Sequence, residues 1–204
     1  MTENAVEPGL ARIGCVIMAA GRSQRFGGNK LLAPLAGRPV LGHVLGRIPP
    51  QAFVRRICVV SCREAEEICR DAGVPCLRYA GGAQSDTLRL GLSRMLDLDG
   101  CLFAMGDQPL LERESVLRLA QAFSRSPQDV CRLAFGDCAG SPVVFPKACF
   151  GALMALTGEH GGMYALRGRS ERVRLVQARY ARELMDADTP QALSALEAAL
   201  IQSR

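Results

Sequence analysis

Short apolar runs alternate with amphipathic stretches along most of the chain. The apolar runs predict seven β-strands, over residues 13–18, 54–60, 75–79, 101–105, 130–135, 142–146 and 173–177. The stretches between most of them predict helices, so the pattern favours an α/β fold with a mostly parallel sheet covered on both faces. Ligands of such sheets bind beyond the carboxyl ends of the strands. We therefore expect the loops after Met18, Ala80 and Met105 to converge on one cleft.

Capping residues and helical spacing place several of the helices. Ser61 and Glu64 form a capping box that predicts a helix over 62–72. Thr189 is expected to cap the last helix, with Pro190 at its first position. The spacing of apolar residues predicts three buried helix faces: Leu88, Leu92, Met95 and Leu96; Val116, Leu119, Ala120 and Phe123; Leu193, Leu196 and Leu200.

Length and composition favour a single domain over residues 1–204, with residues 1–11 flexible. No apolar run approaches the roughly 20 residues that span a bilayer. The first residues carry Glu3 and Glu7 and lack the apolar core of a signal peptide. We therefore expect a cytoplasmic protein that does not bind a membrane.

The cysteines number nine, an odd count without Cys-x-x-Cys pairs. Cys15, Cys58 and Cys101 lie in or beside apolar runs, where a reduced thiol packs as a small hydrophobic group. The regular steps from Cys62 to Cys76 do not build a tetrahedral site. Reduced cysteines are therefore expected, and metal binding by cysteine is not.

The charge and the aromatic content give little support to a nucleic-acid partner. The net charge is +5, aromatic residues make up 5% of the chain, and there is no Trp on which bases would stack. The densest basic stretch is expected to be a solvated helix end and edge strand rather than an anion site; it holds Arg167, Arg169, Arg172 and Arg174.

The first strand leads into a glycine-rich, arginine-bearing loop within residues 15–35, which ends at Lys30. Backbone N–H groups and cations at the end of a strand suit the phosphates of a nucleotide. Lys30 and Lys147 are the two lysines among 25 basic residues, which favours a compact point charge at Lys30. The loop lacks Gly-x-Gly-x-x-Gly and Gly-Lys-Ser/Thr, so it predicts a phosphate-binding loop of another kind.

Two acidic segments are candidates for a metal site. Gly106-Asp107-Gln108-Pro109 follows an apolar run, where a carboxylate is placed to hold a divalent cation, although the same residues also suit a plain turn. Asp186 and Asp188 precede the last helix. They either cap that helix or complete a Mg²⁺ site with Asp107.

Four motifs, taken in order, resemble the nucleotidyltransferases of molybdenum-cofactor maturation, the MobA-like NTP transferases. The stretch from Met18 to Leu31 is similar to that family's Leu-Ala-Ala-Gly-x-Ser-x-Arg-Phe-Gly-x-x-Lys-Leu signature. Its metal-binding, Gly-x-Pro-Val and Asp-x-Asp-Thr-Pro segments are matched by Gly106-Asp107-Gln108-Pro109, Gly140-Ser141-Pro142-Val143 and Asp186-Ala187-Asp188-Thr189-Pro190. The resemblance covers residues 13–200. It implies a three-layer α/β/α nucleotidyltransferase fold with a Rossmann-like, mostly parallel sheet.

Details within these motifs bear on specificity. The start Ala19-Ala20-Gly21 resembles the cytidylyltransferase branch and implies CTP, whereas Ala-Gly-Gly marks the guanylyltransferase branch. Glu159 and His160 stand in a segment that departs from the family's Gly-Asp-x-Gly-Ala, which leaves their roles open. Residues 82–88 depart from Gly-x-x-x-Ser-Leu. His43, within an apolar helical run, is expected to be structural.

The resemblance implies a Mg²⁺-dependent enzyme that moves CMP from CTP to the terminal phosphate of molybdopterin cofactor and releases pyrophosphate. Lys30 and Arg25 would hold the β- and γ-phosphates, and Asp107 completes the catalytic set. Asp107, with Asp188 or Asp186, would hold Mg²⁺. The implied nucleotide-binding residues are Ala19, Ala20, Gly21, Arg22, Ser23, Lys30, Gly82 and Ser85.

Other activities stay open at this point. An enzyme of the same fold would use GTP, or a sugar or alditol phosphate as acceptor. A non-catalytic molybdopterin carrier or chaperone for a molybdenum hydroxylase would consume no nucleotide. Lys30, Arg25 and Asp107 weigh against the carrier, which has no use for a metal and triphosphate site. The expected partners are CTP, molybdopterin cofactor and a molybdenum hydroxylase or its chaperone.

Overall fold

The computed structural model describes residues 11–21 and 26–201. The strands are β1 (Ile13–Ala19), β2 (Pro34–Leu35), β3 (Arg38–Pro39), β4 (Arg55–Val60), β5 (Cys76–Arg78), β6 (Gly100–Met105), β7 (Val130–Phe135), β8 (Cys138–Pro146) and β9 (Val173–Gln177). The α-helices are α1 (Val40–Arg47), α2 (Arg63–Asp71), α3 (Gln84–Leu92), α4 (Arg113–Arg125), α5 (Phe150–Met154) and α6 (Pro190–Ile201).

The central sheet has the strand order β5-β4-β1-β6-β8-β7-β9. β8 runs antiparallel to β6 and β7, and the other neighbouring pairs are parallel. The mostly parallel α/β sheet is confirmed, and so are the seven strands expected from the apolar runs. β8 begins at Cys138 rather than at 142, because its first residues continue a tight hairpin from β7 through Gly136, whose φ is +57°.

Helices cover both faces of this sheet. Successive side chains of β1 point to opposite faces. Cys15 and Ile17 pack in a core with α1, α2 and α4, whereas Val16 and Met18 pack in a core with α3 and α5. The three-layer α/β/α arrangement is therefore confirmed. A smaller cluster joins the β2–β3 hairpin to α6.

Some local helix predictions differ from the structure. Cys62, not Ser61, precedes α2, and no side chain caps that helix. α3 ends at Leu92, so Met95 lies in the following turn, and Leu96, 46% exposed, does not belong to the buried face. The face predicted for α4 is buried, and Thr189 Oγ1 accepts a hydrogen bond from the Ala192 N–H at 3.1 Å, which confirms the last cap.

The cysteines are free thiols, and Cys15, Cys58 and Cys101 are buried in the core as expected. Burial raises the pKa of Cys15 to about 12, so this thiol stays protonated. Over residues 11–21 and 26–201, no three His, Cys, Asp or Glu side chains are grouped to hold a metal ion by themselves. Among the same residues, no helix has the length and apolar character needed to cross a bilayer.

Candidate active site

A cavity of about 1020 Å³ opens at the carboxyl ends of β1 and β6. The loops after Met18, Ala80 and Met105 all reach its wall, so the predicted convergence is confirmed. The side facing these strands is lined by Ala19, Ala20, Gly21, Lys30, Gly82, Gln84, Thr87, Asp107, Gln108, Asp186 and Asp188.

Lys30 lies between two carboxylates in this cavity. Its Nζ donates to Asp188 Oδ1 at 2.6 Å and forms an ion pair with Asp107 Oδ2. Burial lowers the pKa of Lys30, but attraction to Asp107 and Asp188 outweighs it, so the pKa stays above its ordinary value. The three segments predicted to form one site therefore meet at a single ammonium group.

The backbone explains how Lys30 reaches this point. The side chain of Asn29 accepts from the Leu31 N–H at 3.1 Å, and Lys30 O accepts from the Ala33 N–H at 3.2 Å, so the chain turns tightly around the lysine. Leu31 is buried, and its carbonyl accepts from the Leu41 N–H at 3.0 Å. This turn fixes the base of the Lys30 side chain against the start of α1.

Gly106 brings Asp107 against the end of β1. A Cβ at this glycine would lie 3.0 Å from Ala19 Cβ and 3.1 Å from Met18 O, closer than a side chain is normally accommodated. The Gly106 N–H donates to Met18 O at 2.9 Å. In turn, Asp107 O accepts from the Ala187 N–H at 2.9 Å, which ties the second acidic segment to the first.

The oxygens in this wall suit a divalent cation. Asp107 Oδ1 and Gln108 Oε1 are buried without a hydrogen-bond partner among the described residues, an unfavourable state that a cation would relieve. Desolvation by the surrounding groups and repulsion from Asp107 raise the pKa of Asp186 from its ordinary 3.8 to about 6, even though the residue is exposed at the surface. Mg²⁺ takes one or two carboxylates and fills the rest with water and phosphate oxygens. The donor set fits such an ion.

Of the other predicted site residues that the structure describes, most line the cavity and one does not. Ala19, Ala20, Gly21 and Gly82 line the cavity, whereas Ser85 is fully buried behind its wall. The Ser85 N–H donates to Gly158 O at 3.2 Å, and its hydroxyl does not line the cavity. Arg22, Ser23 and Arg25 lie outside the described residues.

Sequence reasoning missed several residues of the wall. Gln84 and Thr87 line it in place of Ser85, because they stand three residues apart on the first turn of α3 and share one face. That spacing was readable in the sequence. Arg132 also lines the cavity, from β7, and its side chain donates to Gly140 O and Ala139 O, both at 2.9 Å. No local motif marks this arginine.

A smaller cavity of about 270 Å³ continues from the first and shares Met18, Gln84 and Arg132 with it. It is lined largely by apolar side chains and ends at His160 and Tyr164. The two rings stack with centroids 3.7 Å apart.

The structure shows the contacts of Glu159, whose role the sequence leaves open, and of His43, which is expected to be structural. Glu159 Oε2 accepts from the Gln84 N–H at 3.2 Å, so this carboxylate holds the start of α3 at the cavity rim. His43 lies away from the cavity and donates from Nε2 to Leu35 O at 2.8 Å, which agrees with a structural role.

Two curated proteins show what this chain is similar to. It is 34% identical over 113 residues to the 2-C-methyl-D-erythritol 4-phosphate cytidylyltransferase of Dehalococcoides mccartyi, covering 52% of this chain and 50% of the relative. It is 28% identical over 119 residues to the "Probable molybdenum cofactor guanylyltransferase" of Pyrococcus horikoshii, covering 56% and 58%. The chain thus spans about half the length of these relatives.

Solved structures share the fold and one of them contains a metal. A nucleotidyl transferase from Methanothermobacter matches with a TM-score of 0.79 at 23% identity, covering 95% of this chain and 99% of the other. Rv0371C of Mycobacterium tuberculosis, in a complex with manganese, matches with a TM-score of 0.72 at 23% identity, covering 92% and 99%. The MobA-like NTP transferase domain model matches residues 15–175, most of the sheet and the first loop. The chain therefore belongs to the MobA-like NTP transferase domain family.

Proposed function

We propose that the protein transfers CMP from CTP to the terminal phosphate of molybdopterin cofactor and releases pyrophosphate. The observation that carries the proposal is the junction of Lys30, Asp107 and Asp188 in a cavity of about 1020 Å³ at the carboxyl edge of a parallel sheet. Members of this family are nucleotidyltransferases, and the curated relatives include a cytidylyltransferase.

The chemistry needs charge neutralisation more than proton transfer. An oxygen of the acceptor phosphate forms a bond to the α-phosphorus of CTP, and the bond from that phosphorus to the α–β bridging oxygen breaks. Its electron pair leaves with pyrophosphate. The nucleophile is already anionic, so no general base is required, and catalysis rests on positioning and on stabilising the leaving group.

Each residue has a separate task in this scheme. Lys30 holds the β- and γ-phosphates, as the sequence also predicts for Arg25, and the backbone of residues 19–21 lies along the triphosphate. Asp107 and Asp188 would hold Mg²⁺, which supplies positive charge to the phosphates when bound. Two features support the metal: Asp107 Oδ1, which has no hydrogen-bond partner among the described residues, and Asp188, whose side chain is 47% exposed and lines the cavity.

The smaller cavity is suited to the acceptor. Its apolar lining and the His160–Tyr164 stack offer a surface for a flat ring system, while Arg132 stands where the two cavities meet. This arrangement gives His160 a contact with the acceptor rather than with the nucleotide. An acceptor bound there directs its phosphate toward Asp107 and Lys30.

Ala20 supports the assignment to CTP. Ala20 is a lining residue of the main cavity beside Gly21, and a methyl group at this position would narrow the space available to a base. One methyl group in a pocket changes discrimination by about 1–3 kcal/mol. Ala20→Gly is expected to shift the ratio of kcat/KM for CTP over GTP toward GTP by about tenfold or more. Pyrophosphate release with each nucleotide measures the ratio, and an unchanged ratio would remove Ala20 from base selection.

A panel of nucleotides and acceptors tests the function itself. Purified protein with Mg²⁺ is given each of the four NTPs together with molybdopterin cofactor, and pyrophosphate release is recorded. We expect release with CTP alone, and a CMP adduct of the cofactor by mass spectrometry. An alditol phosphate replacing the cofactor is the second candidate, favoured by the 34% identity to the D. mccartyi enzyme. Cofactor binding without consumption of any nucleotide would indicate a carrier, for example to a molybdenum hydroxylase.

A further inference from the structure

A separate hollow, of about 500 Å³, lies between α1, the start of α4 and residues 179–182. Among the residues that line it are four arginines: Arg47, Arg118, Arg179 and Arg182. It shares no lining residue with the main cavity within the described part of the chain. We call it the arginine hollow.

The arginines of this hollow are poorly neutralised. Arg47 approaches Glu112 at 3.4 Å, but Arg118 donates to neutral acceptors, Ser115 Oγ at 2.8 Å and Gln177 O at 3.1 Å. In residues 11–21 and 26–201, no carboxylate lies within ion-pair distance of Arg118, Arg179 or Arg182. Glu112 and Glu114 are the acidic side chains that line the hollow, so its charge is net positive.

One aromatic ring contacts two of these guanidinium groups. Tyr180 has Arg179 at 5.1 Å and Arg182 at 3.9 Å from its ring centroid. Such contacts favour the charged groups without neutralising them. The guanidinium groups of Arg179 and Arg182 therefore remain charged and available to a ligand.

A buried carboxylate fixes the segment that carries these arginines. Glu183 is fully buried, and its oxygens accept the N–H groups of Arg179 at 2.7 Å, Tyr180 at 3.1 Å and Glu112 at 3.2 Å. The hydrogen bond to Glu112 ties residues 179–183 to the start of α4. Because the backbone is already ordered, a ligand would not have to order it, which lowers the entropic cost of binding.

We propose that the arginine hollow binds a diphosphate group, either free pyrophosphate or the diphosphate of a nucleotide. A guanidinium fork matches two oxygens of one phosphate, so several forks in one hollow suit two linked phosphates better than one. The volume is within the range of small-ligand sites. Both walls are also close in sequence to residues of the active site, since Glu112 follows Asp107 and Arg182 precedes Asp186 by a few residues.

Calorimetric titration with pyrophosphate, in buffer containing EDTA, tests the proposal. Without metal, the carboxylates of the main cavity disfavour the anion, and binding reports on the arginine hollow. Arg179→Gln/Arg182→Gln is expected to weaken binding at least tenfold. Arg70→Gln/Arg94→Gln removes the same charge from two exposed arginines elsewhere and should bind as the wild type does. Equal binding by both double variants would overturn the proposal.

Further experiments locate the binding site and identify the source of the diphosphate. Lys30→Met should retain metal-free binding, and loss of binding in this variant alone would place the ligand in the main cavity and overturn the proposal. Measured as the part of the binding that Arg179→Gln/Arg182→Gln removes, tighter binding of CDP or ADP than of pyrophosphate would identify a nucleotide, and the reverse order the free anion; both outcomes support the site. A hexaglutamate peptide that binds as tightly as pyrophosphate would overturn it in favour of an acidic protein segment. Should the double variant not fold, Arg182→Gln alone is expected to weaken binding several-fold, and unchanged binding would contradict the proposal.

Discussion

Asp107→Asn is expected to lower the rate of nucleotidyl transfer by about 10³-fold while the protein stays folded. Asp107 is the more buried of the two carboxylates that hold Lys30, with 9% of its side chain exposed, and its Oδ1 has no hydrogen-bond partner in the part of the chain that the structure describes. Asparagine keeps the shape of the side chain but removes the charge that the proposed site needs to hold a divalent cation. The same change leaves Lys30 with Asp188 as its remaining ion-pair partner in the described cavity.

Two measurements check this variant. Pyrophosphate release is followed as a function of Mg²⁺ concentration, and Mn²⁺ binding is followed by the loss of its free-ion EPR signal. Asp71→Asn, at an exposed position at the end of α2, is the matched control and should behave as the wild type does. Near-normal pyrophosphate release from a folded Asp107→Asn protein would contradict the assignment of Asp107.

Much of the fold could be predicted from the sequence because buried strands of a parallel sheet are nearly continuous apolar runs. The run from Ile13 to Met18 is an example, since every residue of β1 is buried. The sequence also predicts that the first loop meets Asp107 and the acids before Thr189, because the carboxyl ends of parallel strands share one edge of the sheet. The position of α3's end did not follow: Leu96 keeps the helical spacing, but the chain leaves the helix at Ser93.

Local sequence patterns could not predict contacts between residues that are far apart in the chain. Two of the four arginines in the densest basic stretch of the sequence are paired with carboxylates, since Arg174 reaches Asp129 at 2.8 Å and Arg169 pairs with Glu171. The arginine hollow instead gathers residues from α1, α4 and the segment after β9, and no spacing rule connects them. Ser85 shows the same limit at shorter range, because the rotation of α3 about its axis decides which side chain faces the cavity.

Lys30→Met is expected to separate metal binding from turnover. The ammonium group of Lys30 and the proposed metal compete for the negative charge of the same two carboxylates, those of Asp107 and Asp188. Without the ammonium these carboxylates repel each other, so Mn²⁺ should bind at least as tightly as in the wild type. Turnover should nevertheless fall by about 10²–10³-fold, because the charge that Lys30 brings to the leaving pyrophosphate is gone.

The control for this variant is Lys147→Met, which removes the chain's second lysine from an exposed position. It should change neither the Mn²⁺ affinity nor the turnover. Comparison with Asp107→Asn makes the result for Lys30→Met diagnostic, because Asp107→Asn should lose both metal binding and turnover. A Lys30→Met protein that turns over normally would remove Lys30 from the phosphate site. One that loses Mn²⁺ affinity tenfold would show that the ammonium supports the metal instead of competing with it. Loss of turnover in both variants, with loss of metal binding in Asp107→Asn alone, is what distinguishes a metal–triphosphate site from a buried ion pair that only stabilises the fold.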